Sequence, residues 1–231
     1  MKAMILAAGR GERMRPLTDH LPKPLLAVGE LPLIGHHLTA LAQAGIRDIV
    51  INHAWLGPLI EQQLGTGEDY QVHTRYSAEG ATGLETAGGI LRALPLLGDA
   101  PFIVVNGDVF TDYPFAQLQQ NRAKEILAHL VLVPNPVQHP QGDFGFDTKT
   151  GLALTASAVQ WTYSGIGWFR PEFFANIGPG PQKLAPFLRE AMSKQQVTAE
   201  IYHGEWADIG TPERLAQINQ AYRERLHAAV S

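Results

Sequence analysis

The chain has 231 residues, 45% of them apolar and 17% charged, with a net charge of −4 and no cysteine. That composition belongs to a globular protein with a sizeable core, not a disordered one, and it argues against a nucleic-acid-binding surface spread over the whole molecule. Without cysteine there are no disulfides, thiolate metal sites or cysteine nucleophiles.

The elements follow in order. "KAMILAA" reads as a buried strand, and "PLIGHHLTALAQAG" has helical periodicity with Gly45 as its stop. "RDIVIN" is a strand, "WLGPLIEQQLG" a short helix, "QVHTRYS" a strand and "ETAGGILRALPLLG" a helix. "PFIVVNGDVF" is the strongest strand, followed by a helix in "PFAQLQQNRAKE" and a strand in "ILAHLVLVP". This alternation predicts an α/β, Rossmann-like, mostly parallel sheet flanked by helices, with ligands at the carboxyl ends of its strands. After about residue 134 the rhythm changes. "GDFGFDTKTGLAL" reads as two short strands around a turn, "WTYSGIGWF" as a strand, and "PEFFANI" and "KLAPFLREAMSK" as helical. "VTAEIYHGEW" reads as one strand, and "TPERLAQINQAYRERL" as a closing amphipathic helix. No low-complexity linker divides the chain. The expectation is one domain over 1–231, with a nucleotide-binding half (1–134) and a smaller, more antiparallel sugar-binding part (135–231).

The segment after the first strand, "LAAGRGERMRPLTDHLPKPLL", carries two glycines, three prolines and the cations Arg10, Arg13, Arg15 and Lys23. Glycines let backbone N–H groups approach an anion closely. The spacing is not that of a Walker loop. It is not a full dinucleotide fingerprint either, because Met14 stands where the third glycine belongs and Pro16, Pro22 and Pro24 break any helix. The residues leave two readings: a long open loop that wraps a triphosphate, or an ordinary surface loop with scattered arginines.

"LAAGRGERMRPLT", with Lys-Pro about ten residues on, resembles the signature of the sugar-1-phosphate nucleotidyltransferases. "GLETAGGI" (83–90), "NGDVF" (106–110), "GDFGF" (142–146), "YSGIGWF" (163–169) and "WADIGTPERL" (206–215) are similar to further segments of that family. Glu12 departs from its usual Ser or Thr, and Glu85 from its usual glycine. The resemblance implies that a sugar 1-phosphate attacks the α-phosphorus of a nucleoside triphosphate and pyrophosphate leaves. It implies Arg13 and Lys23 as the catalytic cations. Ala8, Gly9, Gly11, Glu12 and Arg13, with Gly83, Thr86 and Asn106, would meet the nucleotide. Glu85, Asp143, Gly145, Tyr163 and Ser164 would meet the sugar. Asp108 and Asp208 would hold Mg²⁺, which needs few carboxylates because water and substrate oxygens complete its octahedron. Small size, "GLETAGGI" and "TYSGIGWF" most resemble the members that join UTP to N-acetyl-α-muramic acid 1-phosphate in peptidoglycan recycling.

Other acceptors, such as glucose, mannose, heptose or N-acetylglucosamine 1-phosphate or phosphocholine, share the chemistry. A non-catalytic nucleotide sensor and a dinucleotide-dependent oxidoreductase are the readings from other classes. Arg10 and Arg15 read as solvated or secondary charges. Lys23 reads as a loop lysine with little packing. The histidines show no metal-ligand spacing and read as structural. The chain ends soon after "TPERL" and so reads as a minimal, stand-alone enzyme. The first residues are too short an apolar run for a signal peptide, and no run reaches the length of a membrane span. A cytoplasmic monomer or small homo-oligomer, bound to no nucleic acid or membrane, is the expectation.

Overall fold

The computed structural model describes residues 1–80 and 82–230, the last five by backbone alone. Its strands are β1 (Lys2–Leu6), β2 (Ala27–Val28), β3 (Leu31–Pro32), β4 (Asp48–His53), β5 (His73–Ala78), β6 (Phe102–Asn106) and β7 (Val109–Thr111). These are followed by β8 (Ala128–Val133), β9 (Gly145–Asp147), β10 (Leu152–Leu154), β11 (Thr162–Phe169), β12 (Val197–Ile201) and β13 (Trp206–Asp208). The helices are α1 (Leu33–Gln43), α2 (Gly57–Leu64), α3 (Glu85–Leu97), α4 (Leu184–Ser193) and α5 (Pro212–Val230).

One nine-stranded sheet, ordered β5-β4-β1-β6-β11-β8-β12-β10-β9, runs through both halves of the chain. The strands β5, β4, β1 and β6 are mutually parallel. Then β11 runs antiparallel between β6 and β8, and β10 antiparallel between β12 and β9. Strand β12 returns parallel to β8. Alternate side chains of the central strands feed two cores. Met4, Phe102 and Val104 pack with α3, α4 and the Phe169–Phe174 cluster on one face. Ala3, Ile5, Ile103 and Val105 pack with Ile34, Leu38 and Leu41 of α1 on the other. Burial on both faces explains the apolar runs at 3–6 in β1, 102–105 in β6 and 130–133 in β8. Each large side chain so buried stabilises the fold by about 1.5–3 kcal/mol.

Four sequence expectations need correction. "PFIVVNGDVF" is two strands, because the chain turns at Gly107 and Asp108. Gly107 N donates to Leu6 O at 2.8 Å, and a β-carbon on Gly107 would meet the same oxygen at 2.8 Å. Only glycine lets β6 cross the tip of β1, and β7 then pairs with β13 in a sheet of its own. "VTAEIYHGEW" likewise divides into β12 and β13. "PFAQLQQNRAKE" forms only a 3-10 turn over Phe115–Gln119, in which Phe115 and Leu118, three apart, are the buried pair. That spacing stacks on one edge of a 3-10 turn. "PEFFANI" is also a short 3-10 turn, Pro171–Phe174.

Candidate active site

A cleft of about 860 Å³ opens beyond the carboxyl ends of β1, β4 and β6. Its floor is tied together by buried hydrogen bonds. The first loop leaves β1 at Ala7, whose N–H donates to Asn52 Oδ1 at 2.9 Å. Asn52 Nδ2 donates to Glu79 Oε1 at 2.6 Å, and Leu84 N donates to Glu79 Oε2 at 2.6 Å. One buried amide and one buried carboxylate thus join the ends of β1, β4 and β5 to the entry of α3. A buried charge of this kind persists only when its lone pairs are satisfied.

Ala8, Gly9, Gly11, Glu12 and Arg13 line one side of the cleft, and Gly83, Glu85, Thr86 and Asn106 are also on its walls. Gly11 has φ +66°, and a β-carbon there would press on Thr18 and Lys23. The glycine therefore lets the loop turn back over its own later residues. Thr18 Oγ1 closes that turn by donating to Gly11 O at 2.7 Å. Arg13 sits exposed on a 3-10 turn, Glu12–Met14, anchored by the fully buried Met14. Glu85 has φ +59°, a left-handed conformation. This is the physical reason that glycine suits the position.

Lys23 is buried at 8% exposure, which corrects its reading as a loosely packed loop lysine. Its Nζ donates to Asp108 Oδ2 at 2.7 Å. Asp108 follows Gly107 at the crossing described above. Asp208 lies one ladder step away, opposite Val109, and Ile209 N donates to Asp108 O at 2.8 Å. The two aspartates, a hundred residues apart in sequence, therefore lie at neighbouring positions of the β7–β13 pair; Asp108 lines the cleft, and next to Asp208 it is Gly210 that does. Asp208 Oδ2 accepts from Arg214 Nη1 at 2.6 Å, and its Oδ1 accepts from Gln138 Nε2 at 2.7 Å. A β-carbon on Gly210 would lie 3.2 Å from Asp208 Oδ2 and 3.3 Å from Arg13 Nη2. Sequence reasoning missed Gln138, which stands in none of the quoted motifs, and Arg214, which stands inside "WADIGTPERL" but whose pairing with Asp208 only the fold shows. His37 is buried under this corner, and burial pulls its pKa down to about 4, so it is neutral near pH 7.

Two carboxylates on adjacent backbone positions suit a hard divalent cation. Among the described residues no group of three or more His, Cys, Asp or Glu could hold a metal. Mg²⁺ needs no such cage, because it keeps water and substrate oxygens in its shell.

The residues read as sugar-facing divide. Glu85 lines the cleft, whereas Asp143, Gly145, Tyr163 and Ser164 are not among the lining residues. Asp143 accepts from Tyr163 N at 2.8 Å and meets His139 at 3.1 Å. Gly145 packs on Ser157 so closely that a β-carbon would stand 2.4 Å from its Cβ. Burial, and secondarily Asp143, push the Tyr163 hydroxyl up from its ordinary pKa. Ser164 is 1% exposed, and its Oγ donates to Val131 O at 2.7 Å and accepts from Ile166 N at 3.1 Å. A hydroxyl committed twice inside the sheet cannot face a sugar, which corrects the reading of Ser164.

Residues 2–148 match the family model described as nucleotidyl transferase. The chain is 53% identical to the N-acetylmuramate alpha-1-phosphate uridylyltransferase of Neisseria meningitidis serogroup B, over 94% of this chain and 96% of that one. It is 32% identical to the enzyme of the same name from Caulobacter vibrioides, over 91% and 92%. A crystal structure of a candidate glucose-1-phosphate thymidylyltransferase from Bacillus anthracis has the same fold, with a TM-score of 0.81 at 22% identity over 96% and 95%. Proteins of this kind act on nucleoside triphosphates and sugar 1-phosphates and generally use a divalent metal. No described helix is long and apolar enough to cross a membrane. The chain belongs to the nucleotidyl transferase family.

Proposed function

We propose that this chain transfers the uridylyl group of UTP to N-acetyl-α-muramic acid 1-phosphate, with Mg²⁺, and releases pyrophosphate. The observation that carries the reading is the gathering of Arg13, Lys23 and Asp108 on a glycine-lined cleft, with Asp208 on the strand paired beside Asp108, in a chain 53% identical to a uridylyltransferase for that acceptor. An oxygen of the sugar phosphate attacks the α-phosphorus, and the bond to the bridging oxygen of pyrophosphate breaks. The nucleophile is already an anion, so no general base is needed. The obstacle is the charge gathered by two polyanions, and the remedy is preorganised positive charge.

The first loop supplies that charge. Backbone groups of Ala8, Gly9, Gly11 and Glu12 receive the nucleotide, with Gly83, Thr86 and Asn106 on the facing walls. Arg13 neutralises the leaving pyrophosphate. Lys23, already held at Asp108, stands where the attacking and transferring phosphates meet. Asp108 and Asp208 would hold the Mg²⁺, which when bound withdraws charge from the phosphate oxygens. The Asn52–Glu79 bridge keeps the two sides of the nucleotide cleft in fixed register, so orientation is set before substrate arrives. Glu85, Asp143, Gly145 and Tyr163 border the acceptor side, the last three by shaping its wall rather than through free side chains. The substrates are small and water-soluble, which supports a cytoplasmic protein, monomeric or a small homo-oligomer, with no nucleic-acid or membrane partner.

The test is pyrophosphate release with Mg²⁺, crossing the common nucleoside triphosphates with a panel of sugar 1-phosphates. Release confined to UTP with N-acetylmuramic acid 1-phosphate is the expected result. Release with a different pair would keep the chemistry and replace the substrate. No release with any pair would favour a nucleotide sensor.

A further inference from the structure

Arg10 reads from sequence as a solvated or secondary charge, and no sequence motif marks Trp55. The fold brings them together on the cleft wall. The Arg10 guanidinium carbon lies 3.5 Å from the centroid of the Trp55 ring. Arg10 Nη1 and Trp55 Nε1 both donate to Thr18 O, each at 3.1 Å. Both side chains line the same cleft as Arg13 and Lys23. An exposed arginine normally samples many rotamers; this one is fixed by a stacked ring and a carbonyl.

We propose that Arg10, laid flat on Trp55, is a third phosphate-binding cation that grips the pyrophosphate end of the nucleoside triphosphate, with Trp55 as its positioning residue. The inference rests on the proposed nucleotidyl transfer and goes beyond it in assigning these two side chains. Three observations support it. The first is charge. A triphosphate brings about four negative charges, and Lys23 is already ion-paired with Asp108 at 2.7 Å. The nearest carboxylate to Arg10 is Asp19, at 4.0 Å, and the same Asp19 oxygen is held by Arg15 at 2.7 Å. Most of the Arg10 charge is therefore left for a ligand.

The second is location. Arg10 lies between Gly9 and Gly11, and Thr18 links it to the Gly11 turn, since Thr18 Oγ1 bonds Gly11 O while Thr18 O receives Arg10 and Trp55. Trp55 follows β4 and lines the cleft with residues 8–13, whereas of the proposed acceptor residues Asp143, Gly145 and Tyr163 lie beyond β6 and outside the lining. The pair therefore serves the nucleotide and not the acceptor. The third is chemistry. A planar guanidinium matches two phosphate oxygens at once, and pre-fixing its plane reduces the entropy lost on binding. The aromatic face holds the cation without neutralising it.

The experiment is calorimetric titration, in Mg²⁺ buffer, of wild type, Arg10→Ala, Trp55→Ala and Trp55→Phe with UTP, inorganic pyrophosphate and UMP. Arg10→Ala should weaken UTP and pyrophosphate by about tenfold or more and leave UMP unchanged. Trp55→Ala should weaken the same two ligands by a smaller factor, and Trp55→Phe, which keeps the stack, should restore them. Equal affinities in wild type and Arg10→Ala would overturn the proposal. So would a loss shared by UMP, which would move Arg10 to the nucleoside, or a Trp55→Phe protein as weak as a folded Trp55→Ala. Arg10-dependent binding of pyrophosphate by a protein that does not bind UTP would overturn only the uridylyl reading. A wild type that binds neither UTP nor pyrophosphate would overturn both.

Discussion

The two sides of the cleft are built by different means. The side proposed for the nucleotide is built chiefly from one short stretch, residues 8–23, folded back on itself and tied by Asn52 and Glu79 to the ends of three parallel strands. The side proposed for the acceptor draws on distant pieces outside the cleft lining: the loop bearing Gln138 and Asp143, the strand β11, and the β13 segment with Asp208. The polar groups there are mostly spent on one another. The contrast follows from what each side must recognise. Phosphates are alike in every substrate, and backbone amides with a few cations suffice for them. A particular sugar needs a particular shape, which several loops must build jointly.

The largest effect should come from the residue that bridges the two sides. Lys23→Ala should lower kcat by about 10²-fold or more, the scale of losing one preorganised charge. Asp108, its partner, has a side chain 40% exposed and can be solvated when the lysine is gone. The stability cost should therefore stay within about 1 kcal/mol despite the burial of Lys23. Pyrophosphate release and urea denaturation on the same preparation decide this; comparable losses in both would make Lys23 a structural residue. Next in size, Asp208→Asn should raise the Mg²⁺ concentration for half-maximal activity by about tenfold or more. Gln138→Ala should raise it less, because Gln138 only orients the carboxylate. Unchanged metal dependence in Asp208→Asn would remove Asp208 from the metal site.

Legibility in the sequence follows the same division. The glycines and cations of the first loop are contiguous, so their spacing could be read directly, and the strands feeding them announced themselves by apolar runs. The burial of Lys23 was hidden, because its partner Asp108 lies 85 residues away and the flanking prolines resemble an open loop. Trp55, Gln138 and Arg214 acquire their roles only through contacts made by the folded chain, Gln138 across 70 residues. The break between β6 and β7 was written in Gly107, but its meaning depends on where the tip of β1 lies. Ser164 reads as an alternating strand residue, and a bulge between Tyr163 and Gly167 accompanies its turn into the sheet.

Away from the cleft, β8 and β12 offer a control. His129 is buried, its Nδ1 lies 2.8 Å from Thr198 Oγ1, and its Nε2 has no hydrogen-bond partner. Burial, helped by Arg122, pulls its pKa below the ordinary value of 6.5 against the opposing pull of Glu200. A histidine depressed in the folded state takes up a proton more readily when unfolded. Its contribution is complete above pH 6.5 and is lost progressively as the pH falls below it. His129→Gln should flatten the fall in urea midpoint between pH 7.5 and 5.5 while leaving the UTP KM unchanged. A shifted UTP KM would mean that the second core reaches the cleft.

The smallest effect, and the sharpest on the comparison, belongs to Glu85. It stands at the entry of α3, tied to the proposed nucleotide side through Leu84 and Glu79, yet its own side chain is exposed on the cleft wall. At φ +59° a glutamate carries a backbone cost of about 1–2 kcal/mol that glycine does not. Glycine loses more entropy on folding, so Glu85→Gly should stabilise the chain by only about 0.5–1 kcal/mol net. If strain is retained there because the carboxylate reads the acceptor, the more stable variant should show a changed KM for the sugar 1-phosphate and an unchanged KM for UTP. If both KM values stay put, the carboxylate faces the cleft without reading it, and acceptor choice lies wholly in the loops beyond β6. A shift in the UTP KM alone would place Glu85 on the nucleotide side and move the boundary between the two sides past the start of α3.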